Sequence, residues 1–388
     1  MMLVSVVLGA LVLVLLVVVA LLACSPGRPA PLLDADGTPP PRGVCEKTFV
    51  TIGGVRQGMF LRGRDSANPV LLFLHGGPCF PTFFMSEKFP SGLEDHFTVC
   101  YWEERGGGLS YGPEVTLASM TLDQLTSDAL EVAEYLRARF AQEKVYLMAH
   151  SGGTMIGLLA AARAPQLFHA YVGMAQITHQ RESEKLAYRF MLERYAASGN
   201  AKRLAELKSF PILDDESLVI PFYKSVLRDE AMHELGVGTM RAMTSVLRDI
   251  VFAVMLCRAY TLREKVAIWV SKFSFVRKSR LIDEQFAFDF PAEVPRLELP
   301  VYFLSGAYDL TVNRDLSRAY LDRLVAPRKG FYTFPNSAHS PLFEEPGKML
   351  EILVHDVLGG TTSLADPEHA AAHRTAPVTA SACTSTDR

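Results

Sequence analysis

Short runs of apolar, mostly β-branched or aromatic residues alternate along the chain with stretches whose apolar residues recur every three or four positions. The first pattern is typical of buried strands and the second of helices that lie against them. Their alternation predicts an α/β protein with a mostly parallel central sheet flanked by helices. The predicted strands are residues 47–52, 58–62, 70–75, 97–103, 144–149, 169–175, 300–304 and 330–334. The predicted helices are residues 122–140, 152–163, 314–324 and 347–357.

A long insertion separates the sixth and seventh predicted strands. Residues of about 176–293 break the alternation and are dominated by helical patterns, which we interpret as a helical lid. No internal repeat is evident, and the folded domain is expected to span residues 46–358.

The first 24 residues form the most hydrophobic part of the chain. They carry no charged side chain, and only Ser5 and Gly9 interrupt the apolar run to Ala23. A helix of this length crosses a hydrocarbon layer of about 30 Å, which favours a single-pass N-terminal membrane anchor. A cleaved signal segment, giving a secreted or lipid-anchored form, stays open because small residues surround Cys24. The side of the membrane on which the domain lies also stays open.

The segments on either side of the folded domain lack periodic apolar residues. Residues 25–45 are rich in proline and glycine and are expected to form an extended linker that holds the domain off the membrane. Residues 359–388 consist mainly of Thr, Ala, Ser and scattered charges, and they are expected to form a disordered tail.

Composition excludes several classes of protein. The 388 residues are 49% hydrophobic and carry a net charge of -3, which argues against a disordered chain and against a nucleic-acid-binding protein. The six cysteines show no close pairing, which argues against a metal site or a disulfide framework. The cysteines therefore indicate no metal site, a single disulfide bridge stays open, and the oligomeric state is not predicted.

A candidate nucleophile lies in the run Leu147-Met148-Ala149-His150-Ser151-Gly152-Gly153. Here a predicted strand ends, a tight turn carries one serine between small residues, and a predicted helix begins. Small residues two positions before and after the serine let strand and helix approach while the hydroxyl projects above the sheet. Ala149 stands where glycine is usual, which keeps the residue small but adds a Cβ.

Partners for this serine follow later in the chain. Asp309 comes after the predicted strand 300–304, and His339 comes after the predicted strand 330–334. A serine hydroxyl needs a base to take its proton, and that base needs a carboxylate to orient it. The order serine, acid, histidine at successive strand ends therefore predicts a catalytic triad of Ser151, Asp309 and His339.

A candidate oxyanion hole precedes the serine in the sequence. The predicted strand 70–75 runs into Gly76-Gly77-Pro78, where glycines allow the backbone to approach a substrate closely. Backbone N–H groups aimed at the developing negative charge lower the barrier of acyl transfer. We assign these donors to Gly77 and Gly152, because Pro78 has no N–H.

These motifs together resemble the α/β-hydrolase superfamily, and most closely its prolyl aminopeptidase (proline iminopeptidase)-like branch. The resemblance rests on His75-Gly76-Gly77-Pro78, on the run from Tyr101 to Ser110, on the serine motif, and on Asp309 and His339. It covers about residues 46–358 and implies a hydrolase with a helical lid and no metal or organic cofactor. Glu103 and Glu104 stand where that branch has Asp and Gln.

The resemblance also implies candidates for substrate recognition. Members of the branch hold the free amine of the substrate with lid carboxylates, and Glu182, Glu184 and Glu193 are the candidates here, although their charge-mixed helical setting is typical of a solvated face. Trp102 is a further candidate for substrate binding. The only other tryptophan is Trp269, so a tryptophan-rich lid is absent.

The sequence predicts a serine hydrolase that cleaves a small ester or amide, such as a short peptide, through an acyl-enzyme. A carboxylesterase or lipase acting on a lipid-derived ester is the main alternative; it would use apolar lid residues such as Phe252, Met255 and Leu256. A non-catalytic ligand-binding receptor on the same fold is the alternative from another class, but every triad member is present.

Overall fold

The computed structural model of the protein describes residues 2–367, and within that range eight strands form one sheet in the order β1-β2-β4-β3-β5-β6-β7-β8. The pairs β1–β2 and β2–β4 are antiparallel, and every other neighbouring pair is parallel. The strands are β1 (Val44–Ile52), β2 (Val55–Gly63), β3 (Val70–Leu74), β4 (Thr98–Trp102), β5 (Val145–His150), β6 (Phe168–Met174), β7 (Val301–Gly306) and β8 (Lys329–Phe334).

Helices precede, follow and connect these strands. They are α1 (Met2–Ala23), α2 (Phe83–Lys88), α3 (Leu93–His96), α4 (Leu122–Phe140), α5 (Gly153–Arg163), α6 (Gln180–Ala197), α7 (Ala201–Lys208), α8 (Val219–Tyr223), α9 (Val226–Glu234), α10 (Phe252–Leu256), α11 (Leu262–Val270), α12 (Leu281–Ala287), α13 (Phe290–Glu293), α14 (Arg314–Arg323), α15 (Pro341–Glu344) and α16 (Pro346–Ile352). Among the described residues, π-helical segments also occur at Leu247–Val251, Ser271–Phe275 and Leu353–Leu358.

The two faces of the sheet bury separate hydrophobic cores. Successive side chains of a strand point to opposite faces, so Leu72 and Leu74 of β3 contribute to one core and Leu71 and Phe73 to the other. Helices α4, α5 and α14 cover the first face, and α2, α15 and α16 contribute to the second. The α/β fold with a mostly parallel sheet, predicted from the alternation of patterns, is therefore confirmed.

The lid lies between β6 and β7 and contains α6 to α13. A third core holds its first part together, with Tyr188 and Met191 of α6 against Phe222 of α8. A buried ion pair adds to it: Arg228 of α9 donates two hydrogen bonds to Glu184 of α6, at 2.6 and 3.1 Å. The lid thus has a hydrophobic core of its own and sits on one end of the sheet.

The N-terminal helix α1 carries no charge, and its described side chains from Ser5 onward are almost entirely exposed. Residues Ser5–Ala23 are long and apolar enough to cross a membrane, a property that signal sequences share. The segment after α1 differs from the expected free spacer. It lies along the domain, where Ala30 donates to Glu87 at 2.9 Å and the Leu33 carbonyl accepts from Arg64 at 2.9 Å.

Residues 359–366 are attached to the domain, although the sequence predicted a disordered tail from residue 359. Asp356 accepts hydrogen bonds from the backbone N–H groups of Ser363 and Leu364, both at 2.9 Å. Asp366 pairs with Arg318 and accepts the backbone N–H of Thr333 at 3.0 Å. These polar contacts attach residues 359–366 to the sheet and α14, although their composition lacks an apolar signal. Residues 368–388 lie outside the described residues.

Candidate active site

Ser151 lies in the turn between β5 and α5, above the end of the sheet. Its φ angle is +52°, which is uncommon for a residue with a Cβ and typical of the strained turn that presents a nucleophile. The Ser151 N–H donates to the carbonyl of Met174 at 3.0 Å, and its own carbonyl accepts from Thr154 at 2.8 Å. These two bonds fix the turn between β6 and the start of α5.

Close packing around this turn explains its small residues. A Cβ added at Gly153 would lie 2.4 Å from the His75 carbonyl oxygen, so only glycine fits there. The methyl group of Ala149 lies against Gly157, one turn further along α5. A Cβ at Gly157 would lie 2.9 Å from that methyl group, so the glycine makes room for the alanine. Strand and helix thus keep their close approach although position 149 carries a Cβ.

The predicted oxyanion-hole residues are neighbours in space. A Cβ added at Gly152 would lie 3.1 Å from the backbone nitrogen of Gly77, and one added at Gly76 would lie 2.8 Å from the Ser151 Cβ. Gly77 has a φ angle of +114°, a conformation that favours glycine. Among the described residues, no hydrogen-bond acceptor engages the N–H of Gly77 or Gly152. Both are therefore available to a carbonyl oxygen bound next to Ser151.

Asp309 and His339 form a buried hydrogen-bonded pair. His339 Nδ1 donates to Asp309 Oδ2 at 2.9 Å, and the other carboxylate oxygen accepts the N–H of Val312 at 2.9 Å. The two residues follow β7 and β8, whose carboxyl ends lie side by side. The bond holds the proton on Nδ1 and leaves Nε2 to exchange protons with a substrate or nucleophile.

Two residues that sequence reasoning missed hold the histidine loop in place. A Cβ at Gly306 would lie 1.9 Å from the Ala338 carbonyl oxygen, so the end of β7 must be glycine for the loop to approach. Glu344 accepts the N–H groups of Ala338 and Arg241, at 2.9 and 2.6 Å. A glutamate shortly after the histidine is a weak signal in the sequence, because glutamates are common at helix starts.

His150 is a second functional candidate that the sequence did not single out. Its Nε2 donates to the carbonyl oxygen of His339 at 2.8 Å, and the two rings lie 4.8 Å apart. Burial, assisted by the neighbouring His339 ring, lowers the pKa of His150 to about 3. His150 is therefore neutral at physiological pH and fixes the backbone of His339.

The segment from Tyr101 to Ser110 supports the loop that carries Gly76 and Gly77. Glu104 accepts the N–H of Cys79 at 3.3 Å, and its own N–H donates to His75 Nε2 at 3.1 Å. Burial raises the pKa of the Glu104 carboxyl to about 8 and lowers the pKa of His75 to about 4. Arg105 forms a two-bond ion pair with Asp128, at 2.7 and 2.9 Å. The acidic residues here act on loop structure.

A cavity of about 320 Å³ lies between this end of the sheet and the lid. Ser151, His339 and Gly77 line its floor. The lid contributes apolar and basic side chains, which include Met243, Val246, Ile250, Val276, Lys224, Arg228, Lys272 and Arg277. Among the described lining residues Asp229 is the one carboxylate, and it already lies 3.1 Å from Arg228 Nη1. The cavity wall therefore carries an excess of positive charge.

The proposed substrate-binding residues do not reach this cavity. Glu182 is exposed and pairs with Lys185 at 3.2 Å, and Glu193 is also exposed. Glu184 is buried behind the wall in its ion pair with Arg228. Trp102 is buried in the core beneath the sheet, where its indole N–H donates to Gln57 at 3.0 Å. These positions correct the expectation that Glu182, Glu184 or Trp102 contacts a substrate directly.

Within residues 2–367, no group of three or more His, Cys, Asp or Glu side chains is arranged to hold a metal ion. The cavity instead presents a serine, a histidine paired with a carboxylate, and two glycine N–H groups. This set of groups suits nucleophilic attack on a carbonyl carbon.

Comparison with known proteins places this arrangement in a family. The sequence profile described as the alpha/beta hydrolase fold matches residues 69–346. The chain belongs to the α/β-hydrolase family. A protein named probable aminopeptidase YbaC, from Bacillus subtilis (strain 168), is 32% identical to this hydrolase over 313 residues, which are 79% of this chain and 95% of that protein.

Solved structures show the same fold. VinJ superposes with a TM-score of 0.56 at 19% identity, covering 82% of this hydrolase and 99% of that chain. The proline iminopeptidase of Mycobacterium smegmatis superposes with a TM-score of 0.55 at 16% identity, covering 81% and 98%. The resemblance to the prolyl aminopeptidase-like branch, recognised from the sequence motifs, is confirmed, and the chain is a hydrolase of the α/β fold with peptidase-like relatives.

Proposed function

We propose that this hydrolase uses Ser151 as the nucleophile of a Ser-His-Asp triad and cleaves a small ester or amide through an acyl-enzyme. The observation that carries the proposal is the His339–Asp309 hydrogen bond of 2.9 Å in the same cavity as Ser151. It supplies a base of defined tautomer in the cavity that Ser151 also lines, and Ser151 lies in a strained turn.

The proposed reaction has two steps. His339 Nε2 takes the proton of the Ser151 hydroxyl while Oγ bonds to the carbonyl carbon, and the carbonyl oxygen becomes negative between the N–H groups of Gly77 and Gly152. His339 then gives the proton to the leaving alcohol or amine as its bond to carbon breaks. In the second step His339 takes a proton from water, the hydroxide adds to the acyl carbon, and the Ser151 ester bond breaks with return of the proton.

The charge of the cavity favours neutral or anionic substrates over those with a free amine. Lys272 lines the cavity and lies 4.0 Å above the Phe80 ring, and burial lowers the pKa of its ammonium group. Asp229, the one carboxylate among the described lining residues, is already paired with Arg228. An incoming ammonium group would therefore meet cations without a free carboxylate.

A matched panel of substrates tests this specificity. We expect neutral acyl esters to be cleaved with a kcat/KM at least about tenfold above that of prolyl and other aminoacyl chromogenic amides or esters, which corresponds to 1.4 kcal/mol of repulsion. Comparing aminoacyl esters with N-acetylated aminoacyl esters isolates the charge from the leaving group. Lys272→Met removes the charge but keeps an unbranched side chain. It is expected to reduce the difference in kcat/KM between acetylated and free-amine substrates. Faster cleavage of the free-amine substrates would instead establish an aminopeptidase.

A lipid-derived ester is a second candidate substrate, favoured by the apolar lid side chains on the cavity wall. Met243, Val246 and Ile250 supply this lining. Phe252 and Leu256, which the sequence suggested for that role, are more than half exposed on the outside of the lid.

We also propose that α1 tethers the hydrolase to a membrane, which its length and composition support.

A further inference from the structure

The outer surface of the lid carries an unusual set of exposed apolar side chains. Helix α10 with the turn before it, and helix α11 with the turn after it, present them at helical spacing. Each is between 40% and 60% exposed, and the set, named the lid face, is Leu247, Phe252, Leu256, Val266, Val270 and Phe273. The two helices are in contact, since Lys265 of α11 donates to the Met255 carbonyl of α10 at 2.7 Å.

Basic residues are interspersed along the segment that carries the lid face. Residues 241–280 contain nine lysines and arginines, seven of them exposed, but only two acidic residues, in a chain whose net charge is -3. Both acidic residues are already paired, Glu264 with Lys47 at 2.9 Å and Asp249 with Arg248 at 3.0 Å. An apolar surface bordered by lysine and arginine is the combination that binds the interface of an anionic bilayer.

The membrane-length helix α1 ends at the same part of the lid. Lys265 is fully buried, and its ammonium group donates to the Cys24 carbonyl at 2.8 Å and to the Ser25 hydroxyl at 2.9 Å. The Arg258 carbonyl accepts the backbone N–H groups of Gly27 and Arg28, both at 3.1 Å. A bilayer that holds α1 therefore begins next to the lid face.

We propose that the lid face rests on the surface of an anionic lipid bilayer, next to the point where α1 leaves it. The catalytic cavity opens on this side, because Val246 and Phe273 both line the cavity and are exposed. The hydrolase thus has two membrane contacts, a spanning helix and an interfacial lid, and the second brings the cavity mouth to the lipid surface. This binding does not depend on the chemistry of Ser151.

The two tryptophans provide a direct test with the full chain. Trp269 lies in α11, stacked on Phe273 with ring centres 5.8 Å apart, whereas Trp102 is fully buried in the core. The full chain is reconstituted in nanodiscs at one copy per disc, and retention of α1 is verified by intact mass. Lipids brominated on the acyl chains close to the headgroup quench only tryptophans that reach the interface. We expect Trp269 emission to be quenched in discs containing brominated phosphatidylglycerol, more than in discs of brominated phosphatidylcholine.

Variants separate the lid face from the tether. The triple variant Phe252→Ser, Leu256→Ser and Val266→Ser is expected to lose the quenching, while Leu117→Ser with Val325→Ser, which are exposed to a similar extent elsewhere, retains it. Trp269→Phe reports the unquenched Trp102 background, and thermal unfolding checks that each variant is folded. Ser151→Ala is expected to be quenched like the wild type, so failure of the catalytic proposal leaves this result unchanged.

Two results would overturn the proposal. One is unquenched Trp269 in the anionic discs, or quenching that the triple variant retains. The other is Trp269 emission that shifts as the protein concentration rises but does not respond to brominated lipid. The lid face would then bind a second copy of the chain instead of the bilayer.

Discussion

Replacement of Ser151 by alanine is expected to lower kcat about 10⁶-fold on every substrate the hydrolase accepts, as in other triads where the nucleophile is lost. The reason is that the acyl-enzyme cannot form without the Ser151 Oγ, and the remaining oxyanion donors supply only a residual acceleration. Steady-state kinetics on the best ester of the panel measure the loss.

Substitution of a second buried serine serves as the control for Ser151→Ala. Ser305, near the end of strand β7, is also buried, and among the described residues its hydroxyl has no hydrogen-bond partner. Ser305→Ala is therefore expected to stay within a few-fold of wild-type kcat and to unfold at a similar temperature. Retention of more than a few per cent of kcat by folded Ser151→Ala would show that another group attacks the substrate.

Asp309→Asn is expected to lower kcat about 10⁴-fold while leaving KM nearly unchanged. The asparagine amide keeps the shape of the side chain, but its N–H group would face Nδ1 of His339 and favour the tautomer with the proton on Nε2. His339 would then be unable to accept the serine proton. Kinetics on the same ester, with the thermal unfolding temperature alongside, measure the effect.

Asp315→Asn serves as the control for this variant. Asp315 is exposed in the first turn of α14 and contacts Arg314, outside the cavity. It is expected to retain wild-type kcat. If Asp309→Asn loses less than about tenfold in kcat, then the carboxylate does not orient the base, and the assignment of the triad acid fails.

The strands, and the candidate triad residues at their ends, could be identified because they depend on local patterns. All eight predicted strands overlap β1 to β8, and α4 has the predicted bounds. Each strand is a short apolar run bounded by turn residues, so its position in the sequence can be recognised from the local pattern. Ser151, Asp309 and His339 were identifiable because each follows such a strand, and parallel strands bring their carboxyl ends together at one edge of the sheet.

Other features depend on contacts between distant segments, which no local pattern reveals. Glu184 resembles a solvated helix residue by its neighbours, but Arg228, which lies 44 residues later, pairs with it in the interior. Trp102 has no sequence feature that distinguishes a core indole from one in a binding site. The ordered segment after residue 358 is held by the polar side chains of Asp356 and Asp366.

The lid was predictable as an insertion but not in detail. Apart from α6, its helices have nine residues or fewer, and α8 and α10 have only five. Amphipathic periodicity is weak over so few positions. Several apolar side chains of α10 and α11 are exposed, and they include Phe252 and Leu256, which the sequence suggested as cavity-lining residues.

Labelling with a fluorophosphonate probe tests the central claim most directly. The probe reacts with a serine only when a base activates its hydroxyl, and mass spectrometry of the digested protein locates the adduct. We expect one adduct, on Ser151, in the wild-type chain, none in Ser151→Ala, and strongly slowed labelling in Asp309→Asn. A folded wild-type chain that gives no adduct, or gives one that Ser151→Ala retains, would contradict the account.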